Sequence, residues 1–153
     1  MKISAINEGV SLIANIGVIG SIVFLGLEMQ QNTEMMQSQT RNSIVENQLS
    51  FYERGIENSE LADIRNRLNA DLNTEATERF QYTYFMLSEL RIWENEFYQY
   101  QLGLFGADEF AARTYAWRSQ MGVDANEAVW EIVKDSFAPD FRVYLNEIID
   151  EIS

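Results

Sequence analysis

Arg91, Glu94 and Asn95 stand in the middle of the longest aromatic-rich stretch of this sequence. Glu94 follows Arg91 at the i+3 position and Asn95 at i+4, so both can reach its guanidinium from one side of a helix. On a buried face these groups need partners, and they are read here as a buried polar network. A network of that kind can also be a ligand site, because burial and charge pairing shift proton affinities.

A second set of residues has chemical potential. Glu46, Glu53, Glu89, Glu94 and Glu96 can all project from helices. Helical two-metal bundles combine such glutamates with Glu-x-x-His pairs. This chain has no His and no Cys, so the set offers oxygen ligands only, a match for Mg²⁺ or Mn²⁺. The same absences exclude zinc sites with Cys or His ligands, disulfides, and His- or Cys-based catalysis. Acid–base work by paired carboxylates needs a cleft between them, which a small helical domain rarely offers. There is no G-x-S-x-G, no P-loop and no G-x-G-x-x-G. Gly103 and Gly106 read as an inter-helix turn. No catalytic, cofactor-binding or metal-binding residue is therefore assigned, and the chain is expected not to be an enzyme.

The elements that position these residues follow from the whole pattern. The chain has 153 residues, one domain's worth, with enough length to bury a core. Lys plus Arg number 11 and Asp plus Glu 24, for a net charge of −13. The cations are scattered singly, so no stripe exists to track a phosphate backbone, and nucleic acid is not an expected partner.

Residues 9–27, GVSLIANIGVIGSIVFLGL, carry no charge between Glu8 and Glu28. As a helix they span about 28 Å, close to the hydrocarbon thickness of a bilayer. Their mean hydropathy is about 2, above the usual threshold for a spanning helix. Apolar side chains occupy every face, as in a helix surrounded by lipid or by protein. The reading adopted is a transmembrane helix that inserts this segment into a lipid bilayer. A cleaved signal peptide fits less well, because no small-x-small site follows. Gly17 and Ser21 form a small-xxx-small pair, with Ala14 and Gly20 nearby, a candidate helix–helix contact. Lys2 is the only side-chain cation near either flank before Arg41. The positive-inside rule then puts the C-terminal domain outside the cytoplasm.

After a short flank at 1–8 and the membrane helix, residues 28–44 form a polar stalk. No Pro or Gly interrupts 30–43, so helix can run on there, although its Gln- and Asn-rich composition also suits a tether. An acidic helical domain fills 45–153. Val45, Leu49, Tyr52 and Ile56 recur as one helix face, with Gly55 as its stop. Asn58 or Ser59 caps a helix with Leu61, Ile64 and Leu68 inward. Thr74 is the expected cap of a long central helix. Its stripe is Tyr82, Met86, Leu90, Trp93, Phe97, Tyr100 and Leu104, widened by Phe80, Tyr84, Leu87 and Tyr98. Asp108 starts a helix that Gly122 ends. Asp124 and Glu127 have capping-box spacing, and Pro139 opens the last helix. Trp93, Trp117 and Trp130 are the expected core anchors. The fold class is all-α: a transmembrane helix, a helical stalk and a compact bundle of about five helices.

The pattern EMQQNT at 28–33, an E-x-x-Q-N-T segment after a hydrophobic helix, resembles a group of small uncharacterised bacterial proteins, many of them marine. The stretch RIWENEFYQYQLG at 91–103 and the PDF at 139–141 are similar to the same group. The resemblance implies a membrane-anchored helical protein and brings no catalytic residues or cofactor. Together these readings predict a non-enzymatic protein-interaction module at a bacterial inner membrane, single-pass, binding a protein partner or itself. The alternative is a soluble helical bundle in which 9–27 is the core helix, Arg91 and Glu94 orient a bound apolar ligand, and no membrane is involved.

Overall fold

The computed structural model describes residues 2–152, with side chains from Asn7 onward. The described residues form six α-helices and one 3-10 turn, and no strand. In order these are α1 (Lys2–Glu57), α2 (Ser59–Asn69), α3 (Ala76–Gln101), α4 (Ala107–Met121), α5 (Asp124–Val133), the turn Lys134–Ser136, and α6 (Pro139–Ile152). The all-α class expected from the sequence is what is found. The chain divides into two units, Met1–Gln39 and Thr40–Ser153.

The first unit is helix alone. It contains no Pro, and α1 passes through 30–43 unbroken, so that stretch is helix and not tether. Gln30 Nε2 donates to Glu34 Oε1 at 3.0 Å, an i,i+4 pair that supports the helix. The apolar side chains from Val10 to Leu27 are between 54% and 72% exposed. One helix is thus long and apolar enough to cross a membrane, with a best window of mean hydropathy 2.2 and none of it buried in protein. The soluble alternative made 9–27 the core of the bundle. The structure differs, because both core clusters form from residues at or after Ile44. Lys2, which sets the expected orientation, has its side chain outside the described residues.

The second unit is built on α3. Its Tyr82, Met86, Leu90, Trp93 and Phe97 are buried, as their helical spacing requires. One cluster gathers Trp93, Phe97, Phe110, Trp117, Trp130 and Phe141 with neighbouring aliphatic side chains. Trp93 and Trp117 stack at 5.2 Å, and Phe110 and Phe141 meet Trp117 edge-on. The second cluster joins Ile64, Tyr82, Met86, Ala125 and Val129.

Several local expectations are corrected. The face of α1 that packs inward is Ile44, Gln48, Phe51 and Gly55, one residue back from the Val45, Leu49, Tyr52 and Ile56 stripe, which points to solvent. Phe51 stacks on Phe85 at 4.6 Å, and a Cβ on Gly55 would lie 3.7 Å from that ring, so α1 continues through Gly55 because the small residue admits Phe85. Phe80, Tyr84 and Tyr98 are exposed and do not widen the core; Tyr100 is exposed as well. Glu75, not Thr74, is the N-cap of α3, and the Glu78 carboxylate accepts the Glu75 N–H at 2.8 Å. Arg67 grips the same carboxylate, and the two contacts hold the Glu78 carboxyl down at about 2, Arg67 being the larger cause. Asp124 is the first residue of α5 and not its cap. The α5 N-terminus is satisfied instead from α2, where Asn69 Oδ1 accepts the Ala125 N–H at 3.0 Å. Gly122 ends α4, and Pro139 opens α6.

Candidate functional site

Helix α3 carries two glutamates in phase with its apolar stripe. Tyr82, Met86, Glu89, Trp93 and Glu96 alternate by four and three residues, so Glu89 and Glu96 project toward the interior with their neighbours. Glu96 is fully buried. Its carboxylate accepts Gln48 Nε2 from α1 at 2.6 Å on one oxygen and Arg113 Nε from α4 at 3.0 Å on the other. Arg113 also extends Nη1 to the Tyr52 hydroxyl at 3.5 Å. One buried carboxylate therefore ties three helices together through charge-assisted bonds.

One turn earlier, Glu89 faces a concavity of about 260 Å³ lined by Phe51, Tyr52, Arg65, Tyr82, Phe85 and Met86 among others. Desolvation by these rings pushes the Glu89 carboxyl up to about 7. The nearby charge of Glu96 adds to the rise, while Arg113 and Arg65 oppose it. Burial likewise raises the Tyr82 hydroxyl, which donates to Asn126 Oδ1. Asn126 is completely buried and donates in turn to the Gln120 carbonyl at 2.8 Å. The arrangement offers a carboxyl that binds and releases a proton near neutrality, in an aromatic recess with one guanidinium at its edge.

The raised value has a thermodynamic sign. A carboxyl that folds to a higher proton affinity favours the folded state while protonated. That stability is complete below about 4.5 and is lost as pH rises through about 7. Glu89→Gln, which keeps the neutral shape, is expected to leave stability unchanged at pH 4.5 and to raise it by roughly 1–3 kcal/mol at pH 8. Urea unfolding at the two pH values checks this; an equal shift at both would remove desolvation as the cause.

Arg91, Glu94 and Asn95 lie elsewhere on α3. Arg91 Nη1 donates to Glu94 Oε2 at 2.6 Å, and Arg91 Nη2 to the Ser136 carbonyl at 2.9 Å. Glu94 Oε1 accepts the Ala138 N–H at 2.8 Å, just before α6. The Arg91 guanidinium also covers the Phe137 ring at 4.1 Å, a cation–π contact. Asn95 does not join this pair; it accepts Gln99 Nε2 at 3.4 Å. The three residues line a shallow cleft beside Tyr98 and Phe141. Arg91 is exposed and Glu94 half-buried, so the pair is a surface clamp holding the connection before α6 onto α3, and not the interior network its setting suggested.

Gly17 and Ser21 are both exposed on α1, and Ser21 Oγ donates to the Gly17 carbonyl at 2.8 Å, which satisfies the hydroxyl within its own helix. The five glutamates weighed as a metal set do not converge: among the described residues no group of three carboxylates is arranged to hold an ion.

Sequence reasoning placed Glu89 and Glu96 only in that metal set, and it missed Gln48, Arg65 and Arg113. The available signal was phase, since both glutamates fall in step with Met86 and Trp93, whereas Arg91 and Glu94 do not. Compared with family models, curated proteins and solved structures, the chain matches none of them.

Proposed function

We propose that this chain is a membrane-anchored, non-enzymatic protein-interaction module. Residues 9–27 insert into a bacterial inner membrane as a single pass, and the unit from Thr40 onward lies outside the cytoplasm. The observation that carries the anchor is the apolar window of α1, uncharged over 9–27 and with no part of it covered by protein. An apolar helix with no protein around it needs lipid. The intrahelical bond of Ser21 suits the same setting, since a hydroxyl in hydrocarbon must find a local acceptor. The resemblance of EMQQNT and RIWENEFYQYQLG to a group of small uncharacterised bacterial proteins, which implies a membrane anchor, is in keeping with this reading. The interaction role draws support from the apolar surface that the second unit leaves open, including Leu49, Ile56, Phe80, Tyr84, Tyr115 and Ile132.

Alkaline extraction of membranes from cells expressing the tagged full chain tests the anchor. The protein is expected to remain in the pellet and to leave it only with detergent. Release as a folded soluble species would remove the anchor and with it this reading.

A further inference from the structure

The face of α1 that the second unit leaves mostly exposed has a regular composition. Asn42, Val45, Leu49, Tyr52 and Ile56 alternate by three and four residues, the a and d positions of a heptad. The four apolar members are exposed by 44%, 55%, 47% and 81%, beside an adjacent face, one residue back, that is packed by Ile44 and Phe51; the Tyr52 hydroxyl keeps its contact with Arg113. In the sequence the same count runs back through Ser38 to Met35, giving three heptads; it is interrupted by the polar Gln31 and Glu28, and further back it passes through Phe24, Ser21, Gly17 and Ala14.

We infer that this face is the seam of a parallel, in-register homodimer, with a second copy of the chain as its occupant. Three features choose that occupant. The first is period: a 3.5-residue repeat of apolar positions matches another helix with the same repeat and not a flat surface. The second is charge. Arg41 falls at a g position and Glu46 at the e position that follows, the spacing at which opposite charges pair across a parallel two-stranded coil. Arg41 reaches only a surface partner within its own chain, Glu109 Oε1 at 2.8 Å, with both side chains well exposed. The e and g positions flanking the seam between Arg41 and Gly55 carry one arginine, Arg41, and two glutamates, Glu46 and Glu53, so this helix face escapes most of the repulsion of a chain carrying −13 overall. The third is Asn42 at an a position, where a lone amide pairs with its own copy and fixes register and strand number.

The inference rests on the anchored reading for its direction, because two copies inserted the same way in one bilayer are parallel. The Gly17 and Ser21 pair then falls in the sequence register of the seam, where small side chains let membrane helices approach closely.

A cysteine scan of the full chain tests it, and the natural absence of Cys makes every disulfide attributable to the introduced residue. In membranes, Asn42→Cys, Val45→Cys, Leu49→Cys and Ile56→Cys are each expected to form at least roughly fivefold more disulfide-linked dimer than Ser43→Cys, Asn47→Cys, Ser50→Cys and Arg54→Cys, because only facing Cβ atoms meet disulfide geometry. The control sites are exposed as well, so burial does not separate the two sets. Leu49→Arg is expected to abolish linkage through Val45→Cys, with native tryptophan fluorescence showing that the fold is intact. Linkage at one seam position only, as an antiparallel pair gives, would overturn the inference, as would equal linkage at all eight sites. Alkaline extraction of the same samples separates the two failures. A pelleted chain without seam linkage refutes the homodimer and leaves the anchor standing. A soluble chain refutes the anchor, and the scan repeated in solution then decides the seam.

Discussion

Trp117→Ala is expected to cost the Thr40–Ser153 unit about 3–5 kcal/mol of unfolding free energy. Domains of this size hold 5–15 kcal/mol in total, so the variant sits at the edge of unfolding. The indole is fully buried and lies at the hub of the aromatic cluster, in contact with Trp93, Phe110, Phe141 and Tyr144. Its removal leaves rigid rings from α3, α6 and its own helix facing a void they cannot close by small rotations. One feature works the other way. The Trp117 Nε1 proton is buried with no hydrogen-bond partner, which costs the native protein about 1–3 kcal/mol. Trp117→Phe removes that penalty along with part of the ring, and it is expected to stay within about 2 kcal/mol of the parent. Urea unfolding of the full chain, followed by the fluorescence of Trp93 and Trp130, measures both variants. Every tryptophan lies beyond Thr40, so the signal reports this unit alone. An alanine variant with an unchanged midpoint would show that the cluster does not depend on its central ring.

Glu96→Ala carries the second large effect, about 3–5 kcal/mol of destabilisation. The loss is not the removal of a favourable pair so much as the stranding of its partners. Arg113 keeps its charge with a side chain only 17% exposed, and Gln48 loses the acceptor that holds α1. Exchanging both members for apolar residues of similar volume, Glu96→Leu with Arg113→Leu, is expected to recover most of the loss and to end within about 1–2 kcal/mol of the parent. A double-mutant cycle in urea reads the difference. If the double variant is as unstable as the single one, the carboxylate acts through something other than its charge partner.

The all-α class and the buried side of α3 were legible because large apolar residues repeat there at a strict helical period. Trp93, Trp117 and Trp130 are all buried for the same reason. The lack of breakers between Gln30 and Ser43 allowed a continuous helix there without deciding against a tether, and the structure shows helix. What was not legible was direction. On the last turns of α1, apolar residues occupy two adjacent faces, and the richer one, Val45 through Ile56, points outward. Nothing local separates the two, since the inward choice depends on Phe85 and Glu96, far along the chain. Caps failed similarly. Thr74 and Asp124 are good local candidates, yet Glu78 and Asn69 satisfy those helix ends from positions that only the fold brings near. The candidate site was half visible. Arg91 and Glu94 do pair, but their exposure depends on how the chain before α6 crosses α3. Glu89 and Glu96 were in plain phase with the stripe, and were passed over as metal ligands in a chain without His.

Helix α3 runs through both core clusters, lending Tyr82 and Met86 to one and Leu90, Trp93 and Phe97 to the other. Neither cluster can come apart without withdrawing one side of a helix that the other still holds, and Val133 packs against both. The two clusters are therefore thermodynamically one cooperative unit, with no partly melted state available at low cost. The backbone amides from Met86 to Leu90, where the two meet, are expected to exchange with solvent only when everything beyond Thr40 opens at once, which residue-resolved hydrogen exchange checks. In this protein the reporter of global unfolding is a single turn of one helix.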